Sequence, residues 1–172
     1  ARTCGQTYLT VPYLDEKLRG ASAADFQATA EKLNRAGELC QAGGLRLCYH
    51  NHDFEFKPAG GTTLYAVLLR DVTPSLVDFE LDLYWATRAG QDIAALFRQH
   101  PGRFPLWHVK DMDKAHPERN TEVGSGSIDF PALMKLAATA GLRHLFVEQE
   151  NFSLDPYQSI SQSATYVKTR LL

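Results

Sequence analysis

The chain has 172 residues, a formal net charge of −2 at pH 7 and a hydrophobic fraction of 44%, a composition typical of one soluble globular domain with a substantial core. This charge gives no reason to expect binding to nucleic acid or to a membrane surface, and no apolar run approaches the roughly 20 residues that span a bilayer. The three cysteines, Cys4, Cys40 and Cys48, form no paired framework, so we expect a reducing, cytoplasmic location.

Strand-like and helix-like patterns alternate five times along the chain. β-Branched and aromatic runs bounded by turn residues predict strands over residues 8–11, 45–49, 76–82, 104–109 and 144–147. Apolar residues at helical spacing, with caps and glycine stops, predict helices over residues 22–43, 64–68, 93–97, 128–141 and 155–171. No convincing hairpin interrupts the alternation. The pattern therefore predicts an α/β fold with a parallel sheet and crossover helices, either open and doubly wound or closed as a barrel.

Ligand-type side chains follow four successive predicted strands. In parallel α/β folds, ligands bind at the carboxyl ends of the strands. Imidazole and carboxylate groups gathered there suit a divalent cation, namely Mn, Mg, Co or Zn, or proton-transfer chemistry. The residues at these ends are His50 and His52, then Asp82, then His108 and Lys110, then Glu148 and Glu150.

Five motifs together resemble one known group of enzymes. They are YHNHDFEF at residues 49–56, LDLYW at 81–85, WHVKD at 107–111, VGSGSIDF at 123–130 and FVEQE at 146–150. Their combination, spread over nearly the whole chain, resembles the sugar phosphate isomerase/epimerase superfamily of xylose isomerase-like TIM barrels. The resemblance implies a parallel (β/α) barrel whose members move protons between adjacent carbons of a ketose, sugar phosphate or related polyol through a metal-stabilised enediolate.

A closed barrel of this type needs eight βα units and about 250 residues, whereas only five units are predicted here. We therefore expect residues 1–172 to form a single domain that corresponds to the C-terminal five βα units and lacks the N-terminal three. Such a sheet would expose apolar side chains and two strand edges, which favours pairing with another chain. The expected partners are thus a small sugar or polyol and a second copy of the chain.

The resemblance also implies roles for individual residues. It implies a divalent metal held by His50, Asp82, His108 and Glu148. It implies proton transfer by Glu148. His52 and Glu55, which follow His50 in the chain, are candidates for a second base. Lys110 could steady an enediolate oxygen or form an ion pair with Glu80 or Asp111. Trp85 could stack on a sugar ring or pack, and Glu150 is a further candidate for contact with substrate.

Two departures from the family pattern keep other functions open. His50 stands where relatives carry a glutamate that is both ligand and base, and Trp85 stands where several epimerases have a substrate-binding histidine. An inosose-type dehydratase would use the same ligands and the same proton abstraction. A catalytically weak sugar- or metal-binding remnant is the third possibility. The branch that repairs abasic DNA needs more metal ligands and a basic face, and neither is visible in this sequence.

Overall fold

A computed structural model describes residues 1–172. The fold is built around parallel strands. The strands are β1 (Tyr8–Val11), β2 (Arg46–His50), β3 (Pro58–Ala59), β4 (Thr62–Thr63), β5 (Val77–Asp82), β6 (Leu106–Val109), β7 (Asp111–Met112), β8 (Asn120–Thr121) and β9 (His144–Val147). The main sheet has the order β1-β2-β5-β6-β9, and the strand pairs β1–β2, β2–β5 and β6–β9 are parallel. The predicted α/β class and the five predicted strands are confirmed.

Seven α-helices accompany these strands. They are α1 (Ala23–Ala42), α2 (Leu64–Asp71), α3 (Leu83–Arg88), α4 (Ile93–Gln99), α5 (Phe130–Met134), α6 (Ala137–Ala140) and α7 (Pro156–Tyr166), and a π-helical turn, Val167–Leu171, extends the last of them. None of them is both long and apolar enough to cross a bilayer. The chain divides into two compact units, residues 1–80 and 81–172, which are described in turn.

In residues 1–80, helix α1 begins at a capping box. The Ser22 hydroxyl accepts a bond from the backbone N–H of Asp25, and the Asp25 carboxylate accepts one from the N–H of Ser22. An N-cap of this kind is worth about 0.5–2 kcal/mol. Helix α1 packs against α2, and its buried face includes Phe26, Ala30 and Leu33. This packing covers strand β2, of which the last four residues are buried.

In residues 81–172, two helices differ from the prediction. Helix α3 was not predicted, because Tyr84, Trp85 and Thr87 are weak helix formers and the helix is only six residues long. The helix predicted over residues 128–141 is divided into α5 and α6 at Lys135 and Leu136. The apolar pattern continues across this break, so spacing alone gives no sign of it.

The expected absence of hairpins is wrong in detail. Strands β3 and β4 pair antiparallel across Gly60 and Gly61, which take positive φ angles of 58° and 80° that glycine adopts without strain. Strands β7 and β8, which lie in the connection between β6 and α5, also pair antiparallel. Both ladders are two residues long and lie outside the main sheet, so the crossover topology is unaffected.

Candidate functional site

Three predicted metal ligands lie close together in residues 81–172. Asp82 ends β5, His108 lies in β6 and Glu148 follows β9. The Nδ1 atom of His108 lies 3.0 Å from Oε2 of Glu148 and 4.0 Å from Oδ2 of Asp82. Asp82 is fully buried, and its Oδ1 accepts a 2.8 Å bond from the backbone N–H of Trp85. One carboxylate oxygen therefore caps helix α3, while the other faces His108.

These separations fit a shared cation. Protein nitrogen and oxygen ligands lie 2.0–2.2 Å from a zinc ion, so two ligand atoms of one ion can be at most about 4.4 Å apart. Both distances measured from His108 Nδ1 fall below this limit, and Asp82 and His108 belong to a group of side chains spaced suitably for a metal. The donor set of one imidazole and two carboxylates suits Zn, Mn or Co.

Lys110 is almost completely buried beside these ligands. Its Nζ lies 3.2 Å from Oε2 of Glu148 and 3.2 Å from Oε2 of Glu150. The same ammonium lies 5.4 Å from the ring centre of Trp85, which is within the range of a cation–π contact. Four predicted site residues, Lys110, Glu148, Glu150 and Trp85, are thus neighbours in the structure.

The hydrogen bond with His108 and the charge of Lys110 together lower the pKa of Glu148 to about 2, against the opposing effect of burial. Glu148 is therefore ionised throughout the neutral range. An ionised carboxylate can coordinate a cation and can also accept a proton.

Asp111 holds the segment over residues 122–128 through hydrogen bonds to its backbone. The sequence did not predict this structural role. The carboxylate of Asp111 accepts backbone N–H bonds from Met112, Gly124, Gly126 and Ile128 at 2.9–3.1 Å. Burial raises the pKa of Asp111, and these four bonds oppose the rise. A Cβ atom at Gly126 would lie 2.3 Å from Oδ1 of Asp111, so glycine is required there. The VGSGSIDF motif is thus tied to the WHVKD motif by one side chain.

Glu122 is a second buried carboxylate that sequence reasoning missed. It accepts bonds from Thr121 Oγ1, Gln149 Nε2 and the Ser159 hydroxyl. Burial acts to raise the pKa of Glu122, but these bonds outweigh it and lower the pKa to about 2. The only signal in the sequence was an isolated acid among small residues, which does not distinguish a buried carboxylate from a solvated one.

In residues 1–80, His50 lies beside a carboxylate that was not assigned to the site. The register of β2 and β5 places His50 opposite Glu80, and Nδ1 of His50 lies 3.4 Å from Oε1 of Glu80. Oε2 of Glu80 accepts a 2.7 Å bond from the hydroxyl of Thr10. All three side chains are at least partly buried.

His52 and Glu55, the candidates for a second base, lie in the turn after β2. Glu55 is fully buried, and it accepts a 2.8 Å bond from the hydroxyl of Tyr49 and a 2.8 Å bond from the backbone N–H of His52. Burial raises the pKa of Glu55, partly offset by these bonds. The rings of His50 and His52 meet edge to face with centroids 5.0 Å apart. His50 and His52 are therefore in contact, as predicted, and the hydrogen bonds of Glu55 hold the turn that follows β2.

The family model described as "Xylose isomerase-like TIM barrel" matches residues 1–170 of the chain. A curated relative, inosose dehydratase from Geobacillus thermodenitrificans (strain NG80-2), is 23% identical over 95% of this chain and 60% of its own length. The chain thus spans about 60% of the length of this relative.

The chain also covers about 60% of the length of similar solved structures. A sugar phosphate isomerase/epimerase from Parabacteroides distasonis superposes with a TM-score of 0.86 at 30% identity, over 98% of this chain and 60% of that one. The IOLI protein, solved with a zinc atom, superposes with a TM-score of 0.73 at 17% identity, over 97% of this chain and 64% of that one. The chain therefore has the fold of part of a TIM barrel.

Proposed function

Because the chain belongs to the xylose isomerase-like TIM barrel family, we propose that it performs a divalent-metal-dependent isomerisation or epimerisation of a ketose, sugar phosphate or related polyol. The observation that carries the proposal is the position of His108 Nδ1, at 3.0 Å from Glu148 and 4.0 Å from Asp82. A sugar phosphate isomerase/epimerase is among the similar structures, and another similar structure contains zinc.

The proposed metal ligands are His50, Asp82, His108 and Glu148. Support for His50 comes from the sheet: it lies in register with Glu80, and Asp82 is two residues further along the same strand and on the same face. A bound divalent cation would supply positive charge that stabilises an enediolate. All four ligand side chains belong to strand ends, which is where ligands bind in parallel α/β folds.

The chain's own groups supply the proton transfer in this proposal. Glu148 accepts the proton from the carbon next to the substrate carbonyl, because it is ionised at neutral pH and lies at the ligand cluster. Lys110 holds Glu148 and Glu150 in place through its 3.2 Å contacts and offers positive charge to a substrate oxygen. Glu150 and Trp85 are proposed to contact substrate hydroxyls and a ring face. His52 or Glu55 would serve as the second base, and the burial of Glu55 favours His52.

An inosose-type dehydratase is the second candidate, because the curated relatives found are inosose dehydratases at 23% identity. Dehydration begins with the same proton abstraction and then expels a hydroxide from the adjacent carbon. The two reactions therefore share Glu148 and the ligands and differ in product.

Product analysis tests these alternatives. The 172-residue chain, loaded with Mn, Co or Zn, would be incubated with a panel of ketoses, ketose phosphates and inososes. Isomerisation or epimerisation yields a product of unchanged mass, whereas dehydration yields a conjugated carbonyl that absorbs in the ultraviolet and has lost the mass of water. Failure to convert any substrate in the presence of bound metal would leave the binding remnant as the better description and would contradict the proposed catalysis.

A further inference from the structure

Glu80 occupies a position that neither the metal cluster nor the proposed proton transfer uses. Its side chain is largely buried, and burying a carboxylate is costly unless specific partners compensate for the lost water. Two such partners are side chains of other strands of the sheet: His50 of β2, which lies beside β5, and Thr10 of β1, which lies beyond β2. The carboxylate therefore joins two strand ends through its two different oxygens.

The geometry assigns one oxygen to each partner. Thr10 Oγ1 donates to Oε2 at 2.7 Å, which fixes the rotation of the carboxylate and directs Oε1 toward Nδ1 of His50, 3.4 Å away. A carboxylate beside one imidazole nitrogen favours the tautomer that carries its proton on that nitrogen. In this tautomer Nε2 keeps its lone pair and is the nitrogen available as a ligand.

We propose that Glu80, held by Thr10, is a positioning residue that keeps His50 in the Nδ1–H tautomer and thereby presents Nε2 to a divalent cation. The inference rests on the proposed function. It also accounts for the departure at position 50, where the family resemblance implies a glutamate ligand. Here an imidazole is the ligand, and the carboxylate lies next to it on Glu80. Carboxylates that accept a hydrogen bond from a ligating histidine fix its ring and raise its basicity, and their loss costs about 10–100-fold in metal affinity.

The first measurement is the tautomer of His50 in the metal-free 172-residue chain, read from the ¹⁵N chemical shifts of histidine-labelled protein. We expect wild-type His50 to carry its proton on Nδ1. In Glu80→Leu, which removes the acceptor but keeps a similar volume, we expect the proton to shift toward Nε2. Glu80→Gln retains an acceptor oxygen and should retain the wild-type tautomer. Thr10→Val, a smaller change, should give a mixture because the carboxylate is no longer fixed.

Asp78→Asn is the matched control. Asp78 lies on the same strand and is similarly buried, but it pairs with Arg46 and should leave the tautomer unchanged. A wild-type His50 protonated on Nε2 would overturn the inference. A Glu80→Leu chain that keeps the Nδ1–H tautomer would overturn it equally.

The second measurement is the affinity for Co²⁺, followed by its visible absorption. Glu80→Leu should bind about 10–100-fold more weakly than the wild type, while Glu80→Gln should lie between them and Asp78→Asn should match the wild type. Equal affinities for the wild type and Glu80→Leu would overturn the positioning role. A wild-type chain that binds no Co²⁺ but shows the expected tautomers would contradict the proposed function and leave the orientation of His50 by Glu80 standing.

Discussion

Nδ1 of His108 and Oε2 of Glu148 lie 3.0 Å apart, across the pair formed by the parallel strands β6 and β9. His108 is in register with Phe146, so Glu148 lies two residues further along its chain and on the same side. Because strand pairing and alternation fix this spacing, the two donors are pre-organised before any ligand arrives. A site of this kind loses affinity when one donor is removed, while the fold remains.

The ligand assignment predicts which changes release the metal. Asp82→Asn should lower the affinity for Zn²⁺ or Mn²⁺ by at least about tenfold, a typical lower bound for perturbing a metal site, because it removes a negatively charged ligand. The amide oxygen that remains can still cap α3, so the fold should be retained. His108→Ala should do the same. Metal content after dialysis measures both, and His116→Ala, at an exposed histidine, is the control. If both ligand variants retain wild-type metal content, the assignment is wrong.

The buried carboxylate of Glu122 predicts a dependence of stability on acid. The pKa of Glu122 falls from 4.5 to about 2 in the folded chain, so folding favours the ionised form. Its stabilising contribution is fully present above the unfolded pKa and is lost as the pH falls from 4.5 toward 2. Glu122→Gln should therefore be less stable than the wild type at neutral pH, and the difference should narrow in acid.

Urea unfolding at a series of pH values measures this effect. Glu118→Gln removes an exposed carboxylate and should leave the pH dependence almost unchanged. A Glu122→Gln chain whose unfolding midpoint stays a constant distance below the wild type at every pH would show that the ionised carboxylate is not the source of the stability.

The packing around Asp111 predicts that Gly126→Ala is destabilising. The added Cβ atom would lie 2.3 Å from Oδ1 of Asp111 and 2.3 Å from the carbonyl oxygen of Met112. Overpacking of this kind costs about 1–3 kcal/mol, which should appear as a lower free energy of unfolding. The control is Gly43→Ala, where φ is −81° and the nearest atom would be 3.3 Å away. Equal free energies of unfolding for the two variants would contradict the close packing of Gly126 against Asp111.

We predict that the chain associates through the edges of its sheet. Strands β1 and β9 end the strand order, and they carry Leu9, 46% exposed, and Phe146, 43% exposed. Edge strands with exposed apolar side chains favour pairing with another chain, and an edge lysine opposes it. Leu9→Lys and Phe146→Lys should weaken self-association in sedimentation experiments, whereas Leu39→Lys, on helix α1, should not. A wild-type chain that is monomeric and binds no hydrophobic dye would refute this prediction.

The sequence predicted the strands and their polar ends because each apolar run stops at an imidazole or a carboxylate, as at His50 and Asp82. It did not predict the role of Glu80, since all six residues of β5 are buried. In its sequence Val77, Phe79 and Leu81 alternate with three acidic residues, a pattern that predicts one buried face and one solvated polar face rather than a buried carboxylate with a specific partner. The partner of Glu80 became evident only from the register between β2 and β5. Helix α3 is not evident from the sequence because it is short and rich in weak helix formers, and because the side chain that caps it, Asp82, is also a candidate metal ligand.

The central claim is metal-dependent proton abstraction by Glu148, and solvent deuterium incorporation tests it most directly. The wild-type chain with Mn²⁺ should incorporate deuterium at the substrate carbon next to the carbonyl, and removal of the metal with a chelator should stop the exchange. General-base catalysis contributes about 10²–10⁴-fold, so Glu148→Gln should slow exchange by that factor while Glu118→Gln does not. Exchange at the wild-type rate in Glu148→Gln, with loss of exchange in His52→Ala or Glu55→Gln, would contradict the account and place the base after β2.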